Sequence, residues 1–340
     1  MKRVRFAPSP TGSLHVGNAL SAVANRRLGD WMLLRIDDTD PTRNVPGGEK
    51  AILADLTWLG LAWEEGPVRQ SERAAIYRAA AASLDPSEEN GALLWQGITL
   101  LRPDGTATYH LASVVDDVEF RITHVIRGAD HRANESLHAR LAEALGARPP
   151  TYVHHGLVLG DDGRKLSKRG PGATVVALRE AGIPGEAVRA YLEELGVPKH
   201  DVRYDLGRIR RLAVEAIASL PDQELAARAG APLALVPALR GVRDLNEARE
   251  AVRSILEPAR ATLPDGAGPT LERFRELRAG ANGGLDAEAA RALVRELKAV
   301  GGDLRALRLA LTGRERGPEL WAVVAALDRE ETLRRIDAAL

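Results

Sequence analysis

The sequence predicts a parallel α/β fold over residues 1–200, followed by an all-helical domain over 201–340. Three observations carry this. The first sixty residues alternate strand, loop, helix and strand, the pattern of a parallel sheet with crossover helices. Texture changes near residue 200, where Gly/Pro-broken apolar runs give way to segments rich in Ala, Leu, Arg and Glu, all good helix formers except where capped or broken. No self-similarity of solenoid period appears in either part.

Element by element, Val4–Pro8 reads as a short strand that leads into the Pro/Gly loop Ser9-Pro10-Thr11-Gly12. Leu14–Arg27 reads as a helix and Trp31–Ile36 as a second strand. Asp40-Pro41 opens a turn into a helix from Glu49 to Trp58. Arg78–Leu84 finishes another helix, and Asp85–Gly91 reads as a plain loop. Tyr109–Val115, His124–Ile126 and Tyr152–Leu159 read as strands, with a helix over Ala133–Leu145. In the second part, Leu233–Leu239, Leu245–Leu256, Leu271–Leu277, Ala287–Val300, Leu304–Leu311 and Leu320–Leu327 have helical spacing.

Composition excludes several classes. The 340 residues carry 47 Lys+Arg against 47 Asp+Glu and no cysteine, with 45% hydrophobic residues. These are globular values, not those of a disordered or collagenous chain. Zero cysteine removes disulfides, thiolate zinc sites, iron–sulfur clusters and a cysteine nucleophile. No apolar run reaches the roughly 18–20 residues that cross a bilayer. Met1–Pro10 lacks the apolar core of a secretory signal. A cytoplasmic location without membrane association is therefore expected. Balanced charge argues against a globally basic nucleic-acid binder and leaves room for a local basic groove.

Four segments carry chemistry. Arg5–Gly17 runs from a strand through a loop into the first turn of a helix, where backbone N–H groups attract phosphate. Gly17 admits a close neighbour there, and His15 is placed to donate to a phosphoryl oxygen. A Pro/Gly turn with a surface histidine fits the same residues. Gly160–Gly170 is a Gly-bounded basic loop. Its lysines, Lys165 and Lys168, flank Ser167 and suit a clamp on a polyphosphate, or simply an exposed hairpin. Arg35–Asp40 ends a strand, where parallel sheets bind ligands; helix capping by Asp38 or Asp40 is the alternative. Tyr109–Asp117 and His124–His131 place Arg127 at a strand end, either to grip a carboxylate bidentately or as a surface arginine. Asp116-Asp117 suit a strand-end cap better than Mg²⁺. His154-His155 point to opposite faces of a strand and so make a poor metal pair.

Taken in order, these segments resemble the glutamyl-tRNA synthetases, class I aminoacyl-tRNA synthetases with a Rossmann-like catalytic domain. Arg5–Gly17 is similar to the family's "HIGH" segment and Lys165–Arg169 to its "KMSKS" loop within 160–170. Arg35–Asp40 matches the glutamate-type Arg-Ile-acid-Asp-Thr-Asp stretch. Leu309–Gly313, Gly317-Pro318 and Thr332–Arg335 resemble the end of the anticodon-binding region. The resemblance implies that glutamate and ATP form glutamyl-adenylate, which then acylates tRNA(Glu). It implies catalytic roles for His15 and Lys168. Gly17, Asp130, Lys165 and Ser167 would join them around ATP, which brings Mg²⁺; no zinc is expected. Arg5, Ser9, Asp37, Tyr109, Ser113 and Arg127 would hold glutamate, with Asp37 on its α-amine. Residues 201–340 would correspond to stem-contact and anticodon-binding regions, and a monomer is the expected state.

The chain departs from this pattern in one large respect. Only residues 78–108 stand where the family carries an insertion that grips the tRNA acceptor end. The span suffices for a hairpin or a helix and a strand. This shortening implies weaker dependence of activation on tRNA. It also opens an alternative, a paralogue that passes glutamate to a modified tRNA base, an amine or a carrier protein. A non-catalytic scaffold is the third reading, against which His15 and Lys168 both stand.

Overall fold

The computed structural model describes residues 1–167, 170–281 and 283–340. The expected catalytic Lys168, with Arg169, lies outside the described residues. The chain divides into two compact units, one of residues 1–180 with 188–208 and the other of 181–187 with 209–340.

In the first unit, β1 (Arg3–Phe6), β2 (Trp31–Ile36) and β3 (Glu65–Arg69) form a parallel sheet in that order. Val4 pairs with Met32 and Phe6 with Leu34. Met32 through Ile36 are all buried, as a strand covered on both faces requires. The helix α1 (Val16–Leu28) connects β1 to β2, and α2 (Gly48–Trp58) connects β2 to β3. Gly48 is dictated by packing: a Cβ there would sit 2.3 Å from the Pro10 carbonyl oxygen, so only glycine lets α2 start against the loop after β1.

The chain continues through α3 (Ala74–Ala82) into a small antiparallel meander of β4 (Ser87–Glu89), β5 (Ala92–Trp95) and β6 (Ile98–Leu101). Residues 85–91 are thus no plain loop. Asn90-Gly91 and Gln96-Gly97 all have positive φ, so each pair makes a two-residue hairpin turn. Leu100 and Leu101 of the meander share an apolar cluster with Tyr77, Leu111 and Leu141.

The stretch expected as a strand at 109–115 is instead α4 (Tyr109–Glu119). Burial of Leu111, Ala112, Val114 and Val115 follows helical spacing, and tertiary packing overrides the β-preference of the two valines. Beyond it, β7 (His124–Gly128), α5 (Glu135–Ala144) and β8 (Thr151–His155) complete a second parallel pair, with Arg127 opposite His154. The Thr123 N–H donates to Arg3 O at 2.9 Å, which joins the entrance of β7 to β1. A break at Gly156-Leu157 separates β8 from β9 (Val158–Leu159), where one strand was expected; β9 pairs with β10 (Val202–Arg203). The helices α6 (Val175–Glu180) and α7 (Gly185–Leu195) lie between them in sequence.

From α8 (Leu206–Ser219) to α16 (Arg329–Ala339) the described secondary structure is helical. The second unit packs Leu225, Leu239, Ile255, Phe274, Leu297, Leu311, Val323 and Ile336 into one core. Asp244, Asp286, Asp303 and Asp328 each cap a helix start by accepting a backbone N–H.

Candidate active site

A cavity of about 550 Å³ opens at the carboxyl ends of β1, β2 and β7, where parallel sheets present ligands. Arg5, Ser9, His15, Gly17, Asp37, Tyr109, Arg127, Asp130 and Lys165 all line it. Two expected members do not. Ser113 is buried behind the cavity, where its hydroxyl accepts from Arg35 Nη2 at 3.4 Å. It sits one helical turn from Tyr109 and faces the support layer, not the opening. Ser167 is exposed and outside the lining.

His15 caps α1. Its Nδ1 accepts the Gly17 N–H at 3.1 Å, so a neutral ring carries its proton on Nε2, a buried atom of a residue that lines the cavity. Among the described residues, a Cβ on Gly17 would meet only His15 Nδ1, at 3.4 Å. On the far side, Lys165 Nζ lies 2.6 Å from Asp130. Burial pushes the Asp130 carboxyl up, but the Lys165 hydrogen bond and the charges of His131 and Lys165 outweigh it and hold its pKa low.

Beneath the cavity lies a buried charge network that was not legible in advance. Arg35 is 1% exposed and contacts Asp37 at 2.7 Å, Asp117 at 3.0 Å and Asp116 at 3.5 Å. Burial disfavours its charge, yet the three carboxylates outweigh that and hold its pKa well above the usual value. Asp37 itself is pushed up by burial against the pull of Arg35. Arg5 Nε meets Asp117 at 3.3 Å. Asp116 also receives Gln70, Arg73 and the Tyr77 hydroxyl at 2.8–3.0 Å. Tyr109, Ser113, Asp116 and Asp117 recur at helical spacing, so one face of α4 supplies this layer. Asp116 and Asp117 are therefore buried counter-ions, neither a strand-end cap nor a cation site.

Arg127 differs from Arg5 and Arg35. It is 6% exposed and no carboxylate forms an ion pair with it among the described residues. Its Nε donates to His154 Nε2 at 3.2 Å, its Nη1 lies 3.5 Å from the Tyr109 hydroxyl, and its buried Nη2 has no hydrogen-bond partner. Burial pushes its pKa down, and the charge of Arg5 adds to the effect. Because it also lines the cavity, Arg127 is placed to receive a carboxylate or phosphate.

A histidine group, also unforeseen, backs Tyr109. His110 Nδ1 lies 3.0 Å from His138 Nε2, and the Tyr109 ring packs on His110, His131 and His138. Burial pushes His138 down to about 3, aided by Arg127, His110, Arg5 and Arg35. The folded-state value thus lies below the usual 6.5. Its contribution to stability is full above pH 6.5 and is lost as pH falls toward 3. Between pH 7 and pH 4 the unfolding free energy should drop about 3 kcal/mol more in the wild type than in H138Q. Urea titrations at both pH values measure this; equal losses would contradict it. Among the described residues no group of His, Asp and Glu is arranged to hold a metal ion. No described helix is long and apolar enough to cross a membrane.

The family described as "tRNA synthetases class I (E and Q), catalytic domain" matches residues 1–85 and 90–209, with its interruption on β4. The family "Anticodon binding domain" matches residues 270–340. The fold is that of a class I tRNA synthetase. "Glutamate--tRNA ligase 1" of Rubrobacter xylanophilus is 35% identical over 421 residues, covering 99% of this chain and 97% of that protein. "Glutamate--tRNA ligase" of Akkermansia muciniphila is 32% identical over 435 residues, covering 98% of both. The chain belongs to the glutamate–tRNA ligase family. An alignment of 421 residues against a chain of 340 means the Rubrobacter protein carries stretches absent here. A crystal structure of a glutamate tRNA ligase from Elizabethkingia meningosepticum, in complex with its amino acid, superposes with a TM-score of 0.75 at 22% identity over 99% of both chains, a likeness of fold.

Proposed function

We propose that the protein activates glutamate with ATP and transfers it to the 3′ end of tRNA(Glu). The observation that carries the glutamate assignment is Arg127, a buried guanidinium with an unpartnered nitrogen and no carboxylate of its own. A dicarboxylate substrate supplies what it lacks. Arg127 and Arg5 take its carboxylates, Tyr109 and Ser9 border it, and Asp37 receives the α-amine. Asp37 lines the cavity 2.7 Å from Arg35, where an ammonium can reach its carboxyl group.

ATP then lies along the His15–Gly17 turn, with Mg²⁺ carried on its phosphates. An oxygen of glutamate's α-carboxylate attacks the α-phosphorus; the bond to the β-phosphate breaks and pyrophosphate leaves. His15 Nε2–H stabilises the charge that builds on the α-phosphoryl oxygens. Lys165 exchanges Asp130 for phosphate, and Lys168 is the second lysine that the resemblance gives to this step. The terminal ribose hydroxyl of tRNA then attacks the acyl carbon and AMP departs. No protein nucleophile is needed; positioning and charge carry the reaction.

Charging of total tRNA with radiolabelled glutamate tests this, read as acid-precipitable label released by mild alkali. Base-labile label on tRNA is the expected result. Adenylate formation without such label would instead favour transfer to an amine or a carrier protein. That reading draws on the shortness of residues 87–101, a three-stranded meander with Glu88 and Glu89 exposed.

A further inference from the structure

We propose that Asp55 is a positioning residue for phosphoryl transfer, holding His15 in place and tying it to the chain that follows the basic loop; this rests on His15 facing the α-phosphate. Asp55 lies on α2 with no solvent exposure. It is absent from the cavity lining, so it acts only through its neighbours. One carboxylate oxygen accepts the Ser13 hydroxyl at 2.7 Å and the Leu14 N–H at 2.8 Å. The other lies 3.4 Å from Arg179 Nη2, on α6.

The two residues before His15 are thereby pinned, and the same stretch fastens a second segment. The Ser13 hydroxyl oxygen accepts the Val176 N–H at 3.1 Å. Leu14 O accepts the Val175 N–H at 2.9 Å, and the Val16 N–H donates to Ala173 O at 3.0 Å. His15 itself bridges Thr174. Residues 173–176 begin a few positions after Gly160–Gly170. The far end of the basic loop and the His15 turn therefore share one anchor, and Asp55 is the buried charge in it. A buried carboxylate with three donors is a costly group to retain for packing alone.

None of these bonds reaches Arg5, Arg127 or Tyr109, which arise on β1, β7 and α4. Loss of Asp55 should therefore slow the chemical step and leave glutamate affinity alone. A displacement of His15 by about 1 Å would slow adenylate formation about 100-fold. Asp55→Asn keeps size and one acceptor but cannot serve Leu14, Ser13 and Arg179 together.

Single-turnover formation of enzyme-bound adenylate, with total tRNA present, separates the cases. For D55N we expect full amplitude, a rate constant lowered about 100-fold, and a KM for glutamate within about twofold of wild type. S13A should slow the step less, and S13A/D55N no more than D55N alone, since both act through one anchor. A wild-type rate constant at reduced amplitude would mean a merely structural role and overturn the proposal. A second readout needs no turnover: the His15 ring Cε1–H signal, assigned by its loss in H15Q, should shift in D55N while that of His124 stays. An unmoved His15 signal would overturn the proposal as well. Failure of the wild-type protein to make adenylate would fall on the function proposed above, with the ring signal still deciding the role of Asp55.

Discussion

Replacing Arg127 with glutamine should raise the KM for glutamate roughly 100- to 1,000-fold, with the KM for ATP within a few-fold of wild type. Removing one partner of a buried, hydrogen-bonded charge pair costs about 2–5 kcal/mol, and each 1.4 kcal/mol is tenfold. The sign of the accompanying stability change distinguishes this account. In the free protein Arg127 is buried among neutral His154, Tyr109 and Tyr152, with one nitrogen unpartnered. That is an unfavourable state. R127Q without ligand should therefore melt no lower than wild type, while glutamate should raise the melting temperature of wild type only. Steady-state kinetics and thermal melts with and without glutamate measure both. A variant with unchanged glutamate KM, or one that unfolds several degrees early, would contradict the assignment.

The second large effect is on stability. Asp116→Ala should cost about 3–5 kcal/mol, because it strips Arg73 and part of Arg35 of a buried counter-ion and leaves the Gln70 amide and the Tyr77 hydroxyl without their acceptor. Set against the 5–15 kcal/mol of a typical domain, this brings the first unit near its limit. A fall in the urea midpoint at unchanged slope is the expected signature. A change below about 1 kcal/mol would mean the network is replaceable by packing, as some buried ion clusters are.

How much of this could be read from the sequence depended on range. The strand and helices framing the His15 turn were legible because their signals are local. Trp31–Ile36 is an apolar run interrupted only by Arg35, and Leu245–Leu256 follows an Asp cap at helical spacing. The 109–115 stretch was misread because a short apolar run with two valines fits either period; only contact with Leu141 and the Asp116 network selects the helix. A hairpin was allowed for residues 78–108, but 85–91 was read as a plain loop although Asn90-Gly91 is a strong short hairpin signal. β3, Glu65–Arg69, has a glycine, a proline and two charges in five residues, and exists because β2 offers it a paired edge.

At the site the sequence marked Arg127 at one strand end and the segment holding Asp37 at another; Arg5 entered only through the family resemblance. The sequence did not reveal the layer behind them. Which acid pairs with which arginine depends on how α4 turns, and Ser113 was placed on the wrong side of that helix's contact. Asp55 and His138 gave no signal at all. Each lies within an ordinary helical stretch, and their partners stand tens of residues away.

The measurement that bears most directly on the central claim is ATP–pyrophosphate exchange driven in turn by glutamate, glutamine and aspartate, each with and without total tRNA. The account predicts exchange with glutamate, far above that with the other two, and its loss in R127Q at ordinary glutamate concentration. Exchange driven better by glutamine than by glutamate, or none with any of the three in the presence of tRNA, would contradict it.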